Sequence, residues 1–222
     1  MSILDELGTP EVSPLDRLRK TPFPPIPHTG WAAPTEFPNL SGAKMIAFDT
    51  ETYDPDLTEH GPGWGRGRGH MVGLSVAVDS VNRWYFPMRH EVCQEQNLDP
   101  AHVLAWASDT FGNPDQMKVG ANLIYDIGWM AQEGVAVRGP LFDVQFAEAL
   151  LTEDEDVALE TLSDKYLGSH KETTLLYDWI DKAYRPNKTK RRGHIYQAPP
   201  SLVGLYAEAD ASLPLELWPL LA

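Results

Sequence analysis

The chain has 222 residues, of which 42% are hydrophobic, and carries a net charge of -14 with a single cysteine, Cys93. That length and apolar content supply a sizeable core, which excludes a wholly disordered protein, and one cysteine excludes a disulfide scaffold. No segment reaches the roughly 18 consecutive apolar residues of a membrane span, and an unpaired thiol suits a reducing compartment, so we expect a cytoplasmic protein without a membrane partner.

The first 40 residues are rich in proline. Eight prolines and little periodicity in this stretch predict an extended arm over the surface, with a partner-binding tail as the alternative. We therefore divide the chain into a Pro-rich N-terminal arm at residues 1–40 and a folded domain at residues 41–222.

Three strands are predicted in the first part of the domain. An apolar run at 44–49 that ends in a carboxylate indicates a buried strand, and 71–78 and 83–88 read as antiparallel neighbours joined by a turn. The glycine-rich stretch 61–69 between them is typical of a long, mobile loop.

Helices then alternate with two more strands. Asp99 and Pro100 predict the start of a helix that ends near Phe111. The pattern repeats as a strand at 117–121, a helix at 123–133 and a short strand at 135–138, followed by helices near 143–151, 158–167, 173–183 and 201–213. This order predicts an α/β fold with a five-stranded mixed sheet flanked by helices.

Two carboxylates stand at the end of the first strand. Asp49 and Glu51 are spaced so that an extended strand points both side chains to one face. Like charges this close repel each other, and a divalent cation between them is the usual compensation. Surface carboxylates without a ligand are the alternative at this point.

Two helical segments carry further acids. Asp126 lies beside the apolar stripe of its helix, and Asn122 stands one turn earlier, so the two side chains share one side. The alternative is that Asn122 caps the helix and Asp126 faces water. Tyr206 and Asp210 are likewise one turn apart and share a helix face, a pattern that is usually structural when it stands alone.

Together these segments supply four carboxylates and a phenol in the order found in DEDD exonucleases. The chain resembles the proofreading 3'-5' exonuclease domain of family A, polymerase-I-like DNA polymerases in its tyrosine-bearing DEDDy form. The segments 84–90, 141–151 and 159–168 are similar to further landmarks of that family, and the resemblance extends from about Lys44 to about Leu221. It departs from the family where Ala121 replaces a frequent histidine.

The resemblance implies an RNase H-like fold and a site that binds two Mg²⁺ or Mn²⁺ ions. It implies that Asp49, Glu51 and Asp210 hold one ion, that Asp49 bridges to the second, and that Asp126 supports the second largely through water. Tyr206 would orient the attacking water, because a phenol is a poor base at neutral pH. An all-oxygen set suits these hard ions, and the single cysteine offers no zinc cage.

The substrate implied by the resemblance is a single-stranded 3' end of DNA, released as nucleoside 5'-monophosphates, with a DNA polymerase domain or subunit as partner. Between Lys182 and Arg192 lie six basic residues and no acidic one, a strip that suits a phosphate backbone, with a solvated loop as the alternative. The nucleic-acid contacts that we predict are Thr50, Asn122, Lys188, Lys190, Arg191 and Arg192.

Three alternatives stay open at this point. The first is a stand-alone exonuclease of the same superfamily that degrades RNA or DNA, and the second is a non-catalytic module that docks a polymerase. The presence of all four acids and the tyrosine argues against the second. The third, a glycosidase that uses paired carboxylates, does not explain why Asp126 and Asp210 occur together.

Overall fold

A five-stranded mixed sheet forms the centre of the computed structural model, which describes residues 22–153, 155–168 and 173–222. The strand order is β3-β2-β1-β4-β5, with β1 antiparallel to β2, and β4 parallel to both β1 and β5. The strands are β1 (Met45–Tyr53), β2 (His70–Ala77), β3 (Arg83–Pro87), β4 (Met117–Gly120) and β5 (Leu141–Asp143). The predicted α/β class and mixed five-stranded sheet are confirmed.

Seven α-helices occur in the described ranges, which exclude residues 1–21, 154 and 169–172. They are α1 (Leu57–His60), α2 (Pro100–Phe111), α3 (Leu123–Gln132), α4 (Val144–Leu151), α5 (Leu159–Leu167), α6 (Thr174–Tyr184) and α7 (Pro200–Leu221). Short 3₁₀ segments at Gly63–Arg66, Gln94–Gln96 and Lys188–Gln197 connect them. Within these ranges no helix is both long and apolar enough to cross a membrane.

The central strand β1 separates two cores. Ile46 and Phe48 are fully buried on one face, where they pack with residues of β2, α2 and α3. Ala47 faces the other side and packs with Leu162 and Leu217 from α5 and α7. Alternation along a strand sends successive side chains to opposite faces, so the residues that follow Phe48 are also divided between α7 and α3.

One predicted strand is wrong. Residues 135–138 form no strand, and the fifth strand is Leu141–Asp143 instead. The end of α3 explains the difference, because the Val135 N–H bonds the Met130 carbonyl oxygen at 2.8 Å in a helix-terminating pattern. The chain then turns at Gly139, which has a φ of 94°, before it pairs with β4.

The glycine-rich stretch is folded rather than an open loop. Gly63–Arg66 forms a 3₁₀ turn, and the Trp64 ring packs on α3 at Gly128. A Cβ at residue 128 would lie 2.3 Å from the indole, so only glycine leaves room for Trp64. The expectation of a mobile loop is therefore not supported for this segment.

Candidate active site

Three carboxylates converge at the end of the central strand. Asp49 and Glu51 of β1 and Asp210 of α7 each offer one oxygen, and these oxygens lie within 4.8 Å of one another. Glu51 is buried, whereas Asp49 and Asp210 are half-buried. Three like charges at this spacing repel strongly, and a hard divalent cation with oxygen ligands matches the donor set. The residues present therefore fit an Mg²⁺ or Mn²⁺ ion.

The strand places its two acids on the side that faces α7. Asp49 and Glu51 share the face of Ala47, and a β-bulge between Glu51 and Thr52 interrupts the pairing with β2 directly after them. Bulges re-aim side chains and often lie next to active sites. The prediction that Asp49 and Glu51 lie together is confirmed by their shared cluster.

Tyr206 lies one helical turn before Asp210 on α7 and is buried. Burial raises the pKa of its phenol well above the usual value, and the negative charges of Asp210 and Glu51 raise it further. The phenol is therefore protonated at neutral pH. Its ring packs edge-on against Tyr177 of α6 with the centroids 6.0 Å apart, which restricts how the ring can turn.

Asp126 approaches the same strand from the other side. Its Oδ1 accepts the Thr50 backbone N–H at 3.1 Å and the Thr50 hydroxyl at 2.6 Å. Thr50 stands between Asp49 and Glu51, so Asp126 neighbours the three-carboxylate cluster without joining it. Asp126 is only 3% exposed, and the alternative that it faces water is wrong.

Burial changes the charge of Asp126. Burial raises the pKa of its carboxyl to about 8, against the lowering effect of the Thr50 hydrogen bonds, and the charges of Glu51 and Asp143 add to the rise. In the metal-free protein Asp126 is thus largely protonated at neutral pH. Its role as support for a second ion stays a prediction.

Asn122 is the N-cap residue of α3, but its side chain makes no capping hydrogen bond. Its backbone is left-handed, with a φ of 60°. The Asp143 carboxylate takes over the capping role, since it accepts the N–H groups of Asn122 at 3.2 Å and Leu123 at 2.7 Å. Asp143 also caps its own helix, α4, through Gln145. This double cap fixes the helix that carries Asp126.

The basic strip divides into two parts. Arg191 is paired with Asp181 and lies over the Tyr177 ring, 5.7 Å from its centroid. Arg192 lies beside the acids: the Tyr206 oxygen first, against the lowering effect of desolvation, and then Tyr177 and the charge of Asp210 raise the pKa of its guanidinium. Lys188, Lys190 and Arg192 are all exposed. The nucleic-acid role that we predicted for all four stays a prediction, and Arg192 is the member that approaches the acids.

Three aromatic rings, which we call the aromatic wall, meet at the end of β1. Tyr53, at the end of β1, lies 4.5 Å from the Tyr196 ring and 5.4 Å from the His70 ring, measured between centroids. All three side chains are partly exposed. Sequence reasoning missed this wall because its members are distant along the chain and follow no common motif.

Tyr85 and His90 form a buried polar pair. The Tyr85 hydroxyl and His90 Nε2 lie 2.6 Å apart, and burial, followed by the charges of Glu51 and Asp49, raises the pKa of Tyr85 well above its usual value. Burial lowers the pKa of His90 to about 4, so the imidazole is neutral. The segment 84–90, which resembles a family landmark, therefore places neutral polar groups beside the acids.

A protein family and several known proteins are similar to this chain. The model of a 3'-5' exonuclease family matches residues 37–222. A DNA-directed DNA polymerase of Pseudomonas phage M6 is 33% identical over 194 residues, which are 84% of this chain and 28% of that protein. DNA polymerase I of Chloroflexus aurantiacus is 26% identical over 180 residues, 80% of this chain and 17% of that protein. The chain thus spans less than a third of these relatives.

Solved structures share the fold. Brucella melitensis NrnC bound to pGG has a TM-score of 0.55 at 16% identity and covers 83% of this chain and 76% of its own. The catalytic core of RRP6 from Trypanosoma brucei has a TM-score of 0.51 at 16% identity, over 82% of this chain and 41% of its own. The fold is that of the RNase H-like exonucleases.

The raised pKa of Asp126 predicts a pH dependence of stability in the absence of metal. The folded protein keeps this proton between the usual value of 3.8 and about 8, whereas the unfolded chain has lost it. Stability therefore falls as pH rises through this window. Asp126→Asn should remove most of that fall, as measured by thermal unfolding in EDTA at pH 5, 6.5 and 8.

The control for this experiment is Asp115→Asn. Asp115 is exposed and precedes β4, whose first residue pairs with the first residue of β1, so it lies at the other end of β1 from the acids. Its variant should keep the pH dependence of the wild type. Equal slopes in the wild type and in Asp126→Asn would contradict the assignment.

Proposed function

We propose, because the chain belongs to this 3'-5' exonuclease family, that it removes nucleoside 5'-monophosphates from single-stranded 3' ends of DNA in a reaction that requires two divalent metal ions. The observation that carries this proposal is the convergence of the Asp49, Glu51 and Asp210 oxygens within 4.8 Å, with Tyr206 one turn from Asp210. A glycosidase site would not need three carboxylates at one point.

The donor set indicates how ions would be held. Asp49, Glu51 and Asp210 would bind one Mg²⁺ or Mn²⁺, and Asp49 and Asp126 would support a second. When bound, such ions lower the pKa of a water and neutralise charge on the phosphoryl oxygens and the leaving oxygen. Asp126 would lose its proton as the second ion binds, because a nearby cation favours the carboxylate.

Tyr206 would orient the attacking water. Its phenol stays protonated, since burial and neighbouring carboxylates raise its pKa, so it donates its O–H to the water rather than taking a proton from it. The edge-on contact with Tyr177 holds the hydroxyl toward the cluster. Positioning of this kind lowers the barrier without a change in protonation.

The substrate strand would lie between Arg192 and the aromatic wall. A guanidinium beside Tyr206 and Asp210 is placed to bind a phosphate oxygen near the scissile bond. The partly exposed rings of Tyr53 and Tyr196 offer a face on which a base can stack without readout of its edges. This arrangement supports a single strand as substrate, because stacking on a protein ring requires an unpaired base.

The relatives favour DNA and a polymerase partner. The two relatives compared above are DNA polymerases, and this chain matches less than a third of each, so we propose proofreading beside a polymerase domain or subunit. A stand-alone nuclease is the second candidate. It is favoured by the fold similarity to NrnC and RRP6, although similarity at 16% identity indicates the fold alone.

Asp49→Ala and Asp210→Ala should abolish Mg²⁺-dependent release of mononucleotides, because each removes a ligand shared by the cluster. The assay uses DNA and RNA oligonucleotides of the same sequence, labelled at the 3' or the 5' end. We expect immediate release of the 3' label and stepwise shortening of the 5'-labelled strand. Asp115→Ala is the matched control and should retain full activity.

The outcomes separate the candidates. Activity on DNA alone agrees with proofreading and excludes a nuclease that degrades RNA, whereas equal activity on RNA supports the stand-alone nuclease. Absence of mononucleotide release by the wild type with either Mg²⁺ or Mn²⁺ would exclude the enzyme assignment and favour a docking module.

Tyr206→Phe should slow the reaction less than loss of an acid does. The ring and its contact with Tyr177 remain, but the water loses a hydrogen bond, and a positioned hydroxyl of this kind is expected to contribute about 10- to 100-fold. The reduction should appear in kcat, with little change in KM. A loss as complete as that of Asp49→Ala would contradict an orienting role.

Arg192→Ala should weaken substrate binding. We expect KM for a single-stranded oligonucleotide to rise about tenfold and the salt dependence of binding to become shallower, because one phosphate contact is lost. Lys188→Ala, at an exposed site in the same segment, removes an equal charge and should change KM far less. Equal increases in KM for both variants would indicate that the basic strip as a whole, rather than Arg192 alone, attracts the substrate.

A further inference from the structure

The proline-rich segment 22–40 packs on the domain through aromatic side chains. At one end Phe23 stacks on Trp179 of α6 with the centroids 5.7 Å apart. At the other end Phe37 stacks on Trp106 of α2 at 5.6 Å, and the Trp106 indole N–H donates to the Pro38 carbonyl oxygen at 3.0 Å. An extended segment without strand or helix is therefore attached at both ends.

The middle of this segment contacts α7, the helix that carries Tyr206 and Asp210. The Thr29 hydroxyl donates to the Ser201 carbonyl oxygen at 3.0 Å, and the Trp31 indole N–H donates to Glu208 Oε1 at 2.8 Å. Between these bonds the Trp31 ring lies against Gly204, where a Cβ would be 2.1 Å from the indole Cε2. All three positions belong to α7.

The contacts follow one face of α7. Ser201, Gly204 and Glu208 are spaced by three and four residues, so they form a single stripe. Tyr206 and Asp210 are displaced by two residues from Glu208, which at 3.6 residues per turn is about 200° around the axis. The segment therefore holds the helix on the side opposite to the catalytic pair.

Glu208 is suited to act as a fixed point. Its Oε1 accepts the Trp31 indole N–H at 2.8 Å, and its Oε2 lies 4.0 Å from Arg83 Nε of β3. Trp31 also contacts Tyr85, with the centroids 6.1 Å apart. The indole thus connects α7 to Tyr85 of β3.

We propose that Trp31 is a positioning residue, whose indole fixes the rotation of α7 through Gly204 and Glu208 and thereby aims Tyr206 and Asp210 at Asp49 and Glu51. This inference rests on the proposed exonuclease function. It also assigns a role to chain outside the family match, which begins at residue 37.

Geometry sets the size of the effect. At a radius of about 6 Å, a helix rotation of about 10° moves a side-chain atom by about 1 Å. A misplacement of about 1 Å in a catalytic group can cost about 100-fold in rate. Loss of one bond that restrains rotation is therefore expected to reduce kcat well before it unfolds the domain.

The test compares Trp31→Phe with Trp106→Phe. Each variant keeps an aromatic ring and loses one indole hydrogen bond to or from the same segment, but only Trp31 contacts α7. We expect kcat for Trp31→Phe to fall about tenfold, with KM for the oligonucleotide unchanged and a weaker Mg²⁺ affinity in calorimetry. Trp106→Phe should retain the kcat and Mg²⁺ affinity of the wild type, with a similar decrease in Tm.

A second variant tests the contact between the Trp31 ring and Gly204. Gly204→Ala places a methyl group against the indole and should reduce kcat in the same way, while circular dichroism shows a folded protein. Wild-type kcat and Mg²⁺ affinity in both Trp31→Phe and Gly204→Ala would overturn the inference. So would equal losses of kcat in Trp31→Phe and Trp106→Phe, because that result indicates a general effect of stability.

The Mg²⁺ affinities also separate this inference from the proposed function. If the wild type binds Mg²⁺ but releases no nucleotide, the exonuclease proposal fails, and the comparison of the two tryptophan variants still decides whether Trp31 positions Asp210. If the wild type binds no Mg²⁺, both fail.

Discussion

Repulsion among three carboxylates is the constraint on which the rest of the structure depends. Asp49, Glu51 and Asp210 offer oxygens within 4.8 Å of one another, a spacing that unfolding would relieve. The fold opposes this repulsion with rigid elements: β1 is hydrogen-bonded on both sides, and α7 packs across the sheet with buried residues along most of its length. A bound cation would turn the same spacing from a cost into a source of stability, because it binds only the folded arrangement.

The two faces of β1 give the acids different environments. Asp49 and Glu51 face α7 and each other, whereas Thr50 faces α3 and binds Asp126. Burial then raises the pKa of Asp126 to about 8, so in the metal-free protein this carboxyl is largely neutral beside the cluster. Alternation along a single strand thus separates the three-carboxylate cluster from the buried Asp126, and the double cap by Asp143 fixes the start of α3, the helix that carries Asp126.

Local patterns in the sequence were sufficient for much of this architecture. Apolar runs gave four of the five strands near their observed positions, and the spacing of Asp49 and Glu51 gave their common face. The errors have two causes. Residues 135–138 follow a helix end whose terminating bond, from Val135 to Met130, does not show in the hydrophobic periodicity. The cap of α3 comes from Asp143, 20 residues away from Leu123. Nothing in the sequence could place Arg192 beside Tyr206, or Trp31 against Gly204, because tertiary packing alone creates these contacts.

The charge distribution suggests how such a domain would handle its strand. A chain with a net charge of -14 repels phosphates over most of its surface, and Arg191 is already paired with Asp181. Arg192 then concentrates attraction at the acid cluster, where bound cations would add to it. Affinity confined to one point favours a strand end over the body of a duplex and allows rapid release of a shortened strand. Under the proposed function, a neighbouring polymerase would supply the further contacts that keep the DNA bound.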